Sequence, residues 1–190
     1  MTGLKYLNEA TARTFIRQIV KGIFYCHKNN LTHRDLKLEN ILLLNSEEKK
    51  IKIIDFGIAG AISSMKIESL DTGSLNYMAP ECFIAQKNFK FDGKIDVWAI
   101  GVILYAMICG ELPFKGESVY DTIEAIKIGE YKIHPTKKKG LSEPCLDFLS
   151  KCLNTDSKSR ISIEELNYHD WLDEGFFTAQ DKMKPLEAVE

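Results

Sequence analysis

The sequence lacks the patterns that identify several classes of protein. Its five cysteines are scattered and form no C-x-x-C pair, which argues against a zinc or redox motif and fits free thiols in a reducing compartment. The longest apolar run, Val97 to Cys109, has thirteen residues, whereas a membrane span needs about twenty. Residues Met1 to Arg13 carry no apolar signal region. These absences favour an intracellular, cytoplasmic protein.

A strong charge of either sign is also missing. The chain has 25 Lys and Arg residues against 27 Asp and Glu residues, for a net charge of −2. So small a balance gives no electrostatic reason to expect nucleic acid or a membrane surface as a partner. The one basic run, Lys137 to Lys139, is interpreted as a solvated loop. With 190 residues, the chain has the size of a single domain.

The spacing of apolar residues predicts a fold that is mainly α-helical. In the first predicted helix, six apolar residues recur at helical spacing: Phe15, Ile16, Ile19, Val20, Ile23 and Phe24. The predicted helices span about 8–29, 92–109, 118–128, 142–153 and 162–172. Asn8 and Asp92 are predicted N-caps, and Gly110 is a predicted helix end. Ser162 and Glu165 have the spacing of a capping box.

One small β-hairpin is predicted among these helices. Two short apolar runs, Ile41–Leu44 and Ile51–Ile54, are separated by the polar residues Asn45 to Lys50, which is the pattern of two paired strands. The next segment, from Asp55 to Glu81, is irregular and rich in Gly and Ser. A loop of this length inside a compact domain is commonly functional.

Three short motifs follow one another at fixed spacings. The first is His33-Arg34-Asp35-Leu36-Lys37-Leu38-Glu39-Asn40. Asp55-Phe56-Gly57 begins fifteen residues after Asn40, and Ala79-Pro80-Glu81 begins twenty-two residues after Gly57. Each motif alone is weak evidence, because a loop Asp or Asn is commonly a turn former. Together, and in this order, they resemble the protein kinase family. The lysine two residues after Asp35 resembles the Ser/Thr kinases.

The resemblance implies transfer of the γ-phosphate of ATP, with Mg²⁺, to Ser or Thr hydroxyls of a protein substrate. It implies that Asp35 is the catalytic base and that Lys37 and Asn40 complete the catalytic set. It makes Asn40 and Asp55 the metal ligands, since Mg²⁺ prefers oxygen ligands. The residues that it implies for cofactor binding are Lys37, Glu39, Asn40, Leu42 and Asp55.

The resemblance extends over most of the chain. Asp96 matches the buried aspartate that braces the catalytic loop, and Glu81 with Arg160 matches a buried ion pair of the family. Gly73-Ser74-Leu75-Asn76-Tyr77 resembles the segment that holds the substrate residue after the acceptor. The stretch Ile103 to Phe114 resembles the AMP-activated and calcium/calmodulin-dependent kinase group.

The parts of the kinase pattern that are missing define the expected domain organisation. No G-x-G-x-x-G loop and no lysine in a V-A-I-K-like strand occur in the sequence. We therefore expect residues 1–172 to form the C-terminal lobe of a kinase without its small lobe, and 173–190 to form a C-terminal tail. Isolated, this chain is expected to be inactive. The alternative is a catalytically inert kinase-like module that binds a partner protein. A purely structural helical protein would leave the motifs unexplained.

The sequence also suggests control by phosphorylation. In the family, the arginine before the catalytic base pairs with a phosphate on the segment between the second and third motifs, and Arg34 holds this position. Leu70 stands where related kinases carry the activating threonine. Ser69 and Thr72 flank it, and either could accept a phosphate from an upstream kinase. Glu68 offers a fixed negative charge nearby.

Overall fold

The computed structural model describes residues 6–56, 72–83 and 92–173. In chain order, its helices and strands are α1 (Glu9–Lys28), β1 (Ile41–Asn45), β2 (Lys50–Ile53), α2 (Thr72–Leu75), α3 (Lys94–Cys109), α4 (Val119–Ile128), α5 (Pro135–Lys138), α6 (Glu143–Cys152), α7 (Ile163–Asn167) and α8 (Asp170–Asp173). The architecture is mainly helical with one antiparallel pair of strands, so the predicted fold class is confirmed.

Helix α3 is the centre of the fold. Every residue from Ile95 to Cys109 is buried, because a helix that is apolar on all faces must be enclosed by other elements. Helices α1 and α6 both pack against it. It ends at Gly110, whose φ of 69° is left-handed. The predicted cap is partly wrong: Gly93 is the N-cap, although the Asp92 carboxylate accepts a hydrogen bond from the backbone N–H of Lys94 at 2.9 Å. Within the described ranges, no helix has both the length and the apolarity to cross a bilayer.

Helix α1 has the bounds and the apolar face that the sequence predicts. Asn8 caps its start by accepting a hydrogen bond from the backbone N–H of Thr11 at 2.8 Å. Its buried residues are Ala12, Ile16, Ile19, Val20 and Ile23. The helix thus presents one apolar face to α3 and leaves other faces for the hairpin, α7 and α8.

The single helix predicted over 162–172 is wrong, because the structure forms two short helices there. The capping box of Ser162 and Glu165 begins α7 as predicted, but the helix ends at Asn167. The ring of His169 then accepts a hydrogen bond from the backbone N–H of Trp171 and contacts Asp147 at 3.0 Å. These side-chain bonds compete with helix continuation, and the turn directs the Trp171 ring into the core.

The basic run differs from the prediction in one respect. Lys137 and Lys138 belong to the short helix α5, which has His134 at its N-cap. Lys138 and Lys139 are exposed, as a solvated segment requires. Lys137 instead donates a hydrogen bond to the backbone carbonyl of Cys109 at the end of α3.

The hairpin pairs Ile41 with Ile53 and Leu43 with Ile51. The register shifts between Leu43 and Asn45, so the strands contain a bulge one residue before the turn. The observed strands confirm the predicted hairpin, with bounds that differ by one residue. Because β2 runs back towards the start of β1, the chain after β2 returns to the loop that precedes β1.

A partly buried carboxylate joins α1 to the C-terminal helices. Glu9 accepts hydrogen bonds from the Ser142 backbone and hydroxyl, both at 2.7 Å, and from the Trp171 indole N–H at 2.9 Å. Arg13 adds an ion pair at 2.7 Å. Burial acts to raise the pKa of Glu9, but these hydrogen bonds outweigh it and hold the pKa below its ordinary value. The anionic form therefore stabilises the fold.

An ion pair between a buried arginine and a glutamate lies beside the start of α3. Arg160 is fully buried and binds both oxygens of Glu81, at 2.7 and 2.8 Å. Its remaining N–H groups donate to the carbonyls of Asn154 at 2.9 Å and Lys94 at 3.0 Å. Its guanidinium lies 5.0 Å from the centre of the Trp98 ring. The Glu81–Arg160 pair expected from the sequence is thus formed and buried.

Arg160→Ala is expected to lower the free energy of unfolding by about 3–5 kcal/mol, because it leaves the Glu81 carboxylate without its partner. Urea denaturation measures this difference. Lys115→Ala is the control, since the Lys115–Glu111 pair is more than half exposed and should change stability by less than about 1 kcal/mol. A loss below about 1 kcal/mol for Arg160→Ala would contradict the burial of the pair.

Glu9→Gln is expected to destabilise the fold by about 1–3 kcal/mol at neutral pH, because the amide loses one acceptor and the charge. Since the folded pKa of Glu9 lies below its unfolded value, its contribution is complete above the unfolded pKa. It is lost as pH falls through the folded pKa. Unfolding curves of wild type and variant should therefore converge as pH falls below the unfolded pKa of Glu9 and through its lower folded pKa. A stability difference that is independent of pH would refute this role of the anion.

Candidate active site

One buried carboxylate holds the loop that carries the first motif. Asp96 in α3 is 1% exposed. Its oxygens accept hydrogen bonds from the backbone N–H of His33 at 2.9 Å and of Arg34 at 2.8 Å. The Nε2 atom of His27, at the end of α1, lies 2.8 Å from the same carboxylate. The bracing of this loop by Asp96, expected from the resemblance, is therefore present.

The braced loop has an unusual backbone. Arg34 has a left-handed φ of 69°, which is uncommon for a residue with a side chain and is found where surrounding contacts impose it. The N–H bonds of His33 and of Arg34 itself to Asp96 hold the backbone that enters this residue and supply that constraint. The chain after Arg34 is oriented so that Asp35 Oδ2 contacts the Lys37 ammonium and the Asn40 amide.

His33 connects the loop to the end of the hairpin. Its ring is fully buried. Nδ1 accepts a hydrogen bond from the backbone N–H of Asp35 at 3.3 Å, so Nε2 carries the proton and donates to the carbonyl of Ile54 at 3.1 Å. The centroid of its ring lies 4.5 Å from that of Phe56. His33 and Phe56 thus pack against each other beside the site.

The three expected catalytic side chains meet in one cluster. Lys37 Nζ lies 3.0 Å from Asp35 Oδ2 and donates to the Ser74 hydroxyl at 2.8 Å. Asn40 Nδ2 donates to the Asp35 carbonyl at 2.7 Å and approaches its carboxylate Oδ2 at 3.3 Å. The Asp35 and Lys37 side chains are 15% and 18% exposed. The carboxylate is thus oriented by two donors and still open to solvent on one side.

Asp55 comes to this cluster through the hairpin. The backbone N–H of Ile54 donates to the Asn40 carbonyl at 3.0 Å, which places the residue after Ile54 beside Asn40. Asp55 is exposed and has a left-handed φ of 63°. Asn40 and Asp55, the two expected metal ligands, therefore belong to backbone segments that are hydrogen-bonded to each other.

The residues fit a magnesium ion bound together with phosphates. Asn40 uses its amide nitrogen on Asp35, which leaves its amide oxygen as the atom able to bind a cation. Across residues 6–56, 72–83 and 92–173, no group of three His, Cys, Asp or Glu side chains could hold a metal by itself. A site with one amide and one carboxylate suits Mg²⁺, which keeps several waters and binds substrate phosphates.

Two further residues implied for cofactor binding lie at the edge of the site. Glu39 is exposed in the 3₁₀ turn Leu38–Asn40. Leu42, 44% exposed, is in β1. Tyr77 connects the substrate segment to this turn, because it lies close to the Glu39 charge. Burial, together with that charge, raises the pKa of Tyr77 to about 12. Tyr77 therefore stays neutral at physiological pH.

Comparison with known proteins identifies the family. Residues 2–172 match the model of the protein kinase domain. The chain belongs to the protein kinase family. It is 41% identical over 165 residues to the SNF1-related protein kinase catalytic subunit alpha KIN12 of Arabidopsis thaliana, an alignment that covers 87% of this chain and 32% of that protein.

Other relatives are similar to the same degree. Calcium-dependent protein kinase 4 of Plasmodium falciparum is 38% identical over 170 residues, which cover 88% of this chain and 31% of the relative. A probable serine/threonine-protein kinase of Dictyostelium discoideum is 38% identical over 184 residues, 96% of this chain and 21% of the relative. This kinase chain thus spans a third or less of the length of these relatives. They agree with the kinase group that the sequence resembles.

The structure adds two kinase residues that the sequence analysis did not assign. The Ser74 hydroxyl accepts from Lys37, so part of the expected substrate segment contacts the catalytic cluster directly. His27 binds the bracing carboxylate. No local spacing in the sequence pairs His27 with a residue 69 positions away.

The segment between the second and third motifs is described only in part. Gly57, Glu68, Ser69 and Leu70 lie outside the described residues, and Thr72 begins α2. The phosphorylation hypothesis therefore stays a prediction. From Ser74 to Phe83 the segment is placed between the catalytic cluster and the Glu81–Arg160 pair.

Asp96→Asn is expected to lower the free energy of unfolding by about 1–3 kcal/mol, because the amide has one acceptor for three buried donors. Asp92→Asn is the matched control. An Asn amide oxygen can accept the exposed hydrogen bond from the Lys94 N–H as the Asp92 carboxylate does, so the unfolding curve of this variant in urea should overlay that of the wild type. Equal stability of Asp96→Asn and wild type would show that the loop is held by other contacts.

Proposed function

We propose that this chain carries the catalytic residues of a Ser/Thr protein kinase, which transfers the γ-phosphate of ATP to a Ser or Thr hydroxyl of a protein substrate. The observation that supports this proposal best is the hydrogen-bonded cluster of Asp35, Lys37 and Asn40, with Asp55 on the adjoining backbone. Phosphoryl transfer needs mainly positioning and charge neutralisation, and the cluster offers both.

Asp35 is the residue that accepts the proton of the attacking hydroxyl. The hydroxyl oxygen forms a bond to the γ-phosphorus as the bond to the ADP oxygen breaks, and the proton passes to the carboxylate. The Asn40 amide orients Asp35, with Nδ2 held to both its carbonyl and its carboxylate. A base must lie within hydrogen-bond reach of its proton, and the solvent-open side of Asp35 gives a substrate that access.

Lys37 lies between the base and the substrate segment. Its Nζ contacts Asp35 at 3.0 Å and Ser74 at 2.8 Å. A lysine ammonium is a compact point charge, so from this place it would neutralise the transferred phosphoryl group. Bound Mg²⁺ would supply further charge neutralisation at the phosphates, with Asn40 and Asp55 as its protein ligands.

The proposed cofactor site also includes Glu39 and Leu42 at its edge. We assign residues 1–172 to the C-terminal lobe of the kinase domain and 173–190 to a tail. The glycine-rich loop and lysine strand of the family pattern do not occur in this sequence. A polypeptide limited to residues 1–190 should therefore bind Mg·ATP weakly or not at all. A cytoplasmic location and an upstream kinase acting on Ser69 or Thr72 belong to the same proposal.

A non-catalytic module that binds a partner protein is the second candidate. Three consecutive leucines of β1 favour it, because Leu42, Leu43 and Leu44 are 44%, 54% and 62% exposed. Exposed apolar patches mark sites covered by another surface. However, a binding module has no need for the cluster around Asp35, so measured phosphoryl transfer decides between the two candidates.

In the protein expressed from its full coding sequence, Asp35→Ala is expected to lower kcat by about 10²–10⁴-fold, the usual effect of removing a general base. This equals about 3–5 kcal/mol of activation free energy. Radiolabelled phosphate transfer to a protein substrate measures the rate. Asp170→Ala, an exposed aspartate at the start of α8, is the control and should retain full activity. A variant at Asp35 that keeps half its activity would remove this residue from the role.

For the isolated polypeptide 1–190, calorimetric titration with Mg·ATP is expected to give no micromolar binding. The reason is that the glycine-rich loop and the lysine strand of the kinase pattern do not occur in its sequence. A dissociation constant in the micromolar range would show that the residues of this chain form the nucleotide site alone.

A further inference from the structure

The hairpin that brings Asp55 to the active site has little support of its own. A two-stranded hairpin is marginally stable in water, and β1 exposes Leu42, Leu43 and Leu44 to solvent. The bulge between Leu43 and Asn45 also interrupts the pairing near the turn. The position of β2 must therefore be fixed by an element beside it.

One side chain of α1 binds the outer edge of β2. Gln18 Nε2 donates a hydrogen bond to the carbonyl of Lys49 at 2.9 Å, and Gln18 Oε1 accepts one from the backbone N–H of Ile51 at 3.2 Å. The two bonded groups are two residues apart, as along the edge of a strand. The Gln18 amide thus takes the place of a third strand at the level of the bulge.

The same face of α1 allows close approach of the strand. Gly22 lies one turn after Gln18, and residues four apart share a helix face. A β-carbon at Gly22 would lie 3.0 Å from Cδ1 of Ile53. Thr14, one turn before Gln18, contributes its carbonyl, which accepts a hydrogen bond from Gln18 Nε2 at 3.1 Å. The amide is therefore oriented by its own helix before it meets β2.

Strand β2 connects the contact with Gln18 to the expected metal ligands. Three residues after Ile51, the Ile54 N–H bonds the Asn40 carbonyl at 3.0 Å and the Ile54 carbonyl bonds His33 at 3.1 Å. Asp55 follows directly. At about 3.3 Å per residue, a displacement of β2 along its axis by a fraction of one residue would carry Asp55 away from Asn40.

We propose that Gln18 is a positioning residue, which fixes β2 through the Lys49 carbonyl and the Ile51 amide and so sets the separation of Asn40 and Asp55. The inference rests on the proposed kinase function, since it concerns the magnesium ligands of that site. Gln18 itself is on the opposite side of β2 from β1 and acts only through the strand.

Gln18→Met tests the proposal, because methionine keeps the length and helix preference of glutamine but removes both hydrogen bonds. The test protein is the one expressed from its full coding sequence. The Mg²⁺ concentration for half-maximal phosphoryl transfer is expected to rise by about three- to ten-fold, less than the 10–100-fold typical of residues that bond a metal ligand directly. The KM for the protein substrate should stay unchanged.

Thr14→Ala is the matched control on the same face of α1. Its hydroxyl bonds only the carbonyl of Ala10 within the helix, at 3.0 Å, so the variant changes α1 but not the contact with β2. Its Mg²⁺ requirement should equal that of the wild type. If Gln18→Met lowers thermal stability yet leaves the Mg²⁺ requirement unchanged, Gln18 has a structural role only and the proposal is overturned.

Hydrogen exchange provides a second readout that needs no activity. In Gln18→Met, the amides of Ile51 and Ile54 are expected to exchange faster, by about three- to ten-fold, the range expected for the loss of one net hydrogen bond. An unchanged Ile54 amide would overturn the proposal. Gln18→Glu retains the acceptor for Ile51 but loses the donor to the Lys49 carbonyl. It replaces the methionine variant if that one does not fold, and it should accelerate the Ile54 amide while the Ile51 amide stays protected.

The two readouts separate this inference from the proposed function. A wild-type protein without phosphoryl transfer would refute the kinase activity, while exchange at Ile54 would still decide whether Gln18 holds the hairpin. An active wild type with normal Mg²⁺ dependence in Gln18→Met would refute only the role of Gln18.

Discussion

The carboxylate of Asp96 is the constraint on which the candidate active site depends. It lies in the most buried helix of the fold and accepts from two consecutive backbone amides of the loop, at 2.9 and 2.8 Å. A buried carboxylate is costly unless donors satisfy it, so the loop and α3 stabilise each other. The left-handed backbone at Arg34 persists because these bonds hold it, and the direction of Asp35 follows from it.

Helix α1 provides the other half of the framework. Its end reaches Asp96 through His27, its middle binds β2 through Gln18, and its first turn is tied to α6 and α8 through Glu9. The same two helices, α1 and α3, therefore hold both the loop of the first motif and the hairpin in position. Preorganised sites of this kind place charged groups before substrate arrives, which is the main contribution of a protein to phosphoryl transfer.

The sequence predicts those features that arise from local pattern. The sequence located α1, α4 and α6, with Asn8 as the predicted cap of α1, and the hairpin followed from two apolar runs around a polar turn. The motif spacing predicted Asp35, Lys37, Asn40 and Asp55 as site residues, and the structure places them on adjoining backbone. Contacts between distant positions were predictable only where the family resemblance supplied them, as for Glu81 with Arg160. Nothing near Gln18 or Glu9 indicates its partner. The break between α7 and α8 was missed because it depends on His169 reaching Asp147 across the fold.

The central claim is that this arrangement phosphorylates hydroxyl side chains, and identifying the phosphorylated amino acid tests it most directly. The protein expressed from its full coding sequence would be incubated with Mg²⁺, γ-labelled ATP and a mixed protein substrate, and the labelled amino acids separated after hydrolysis. The account predicts phosphoserine and phosphothreonine, formed only when Mg²⁺ is present. Label on tyrosine alone, or no label at all from a folded protein, would contradict it.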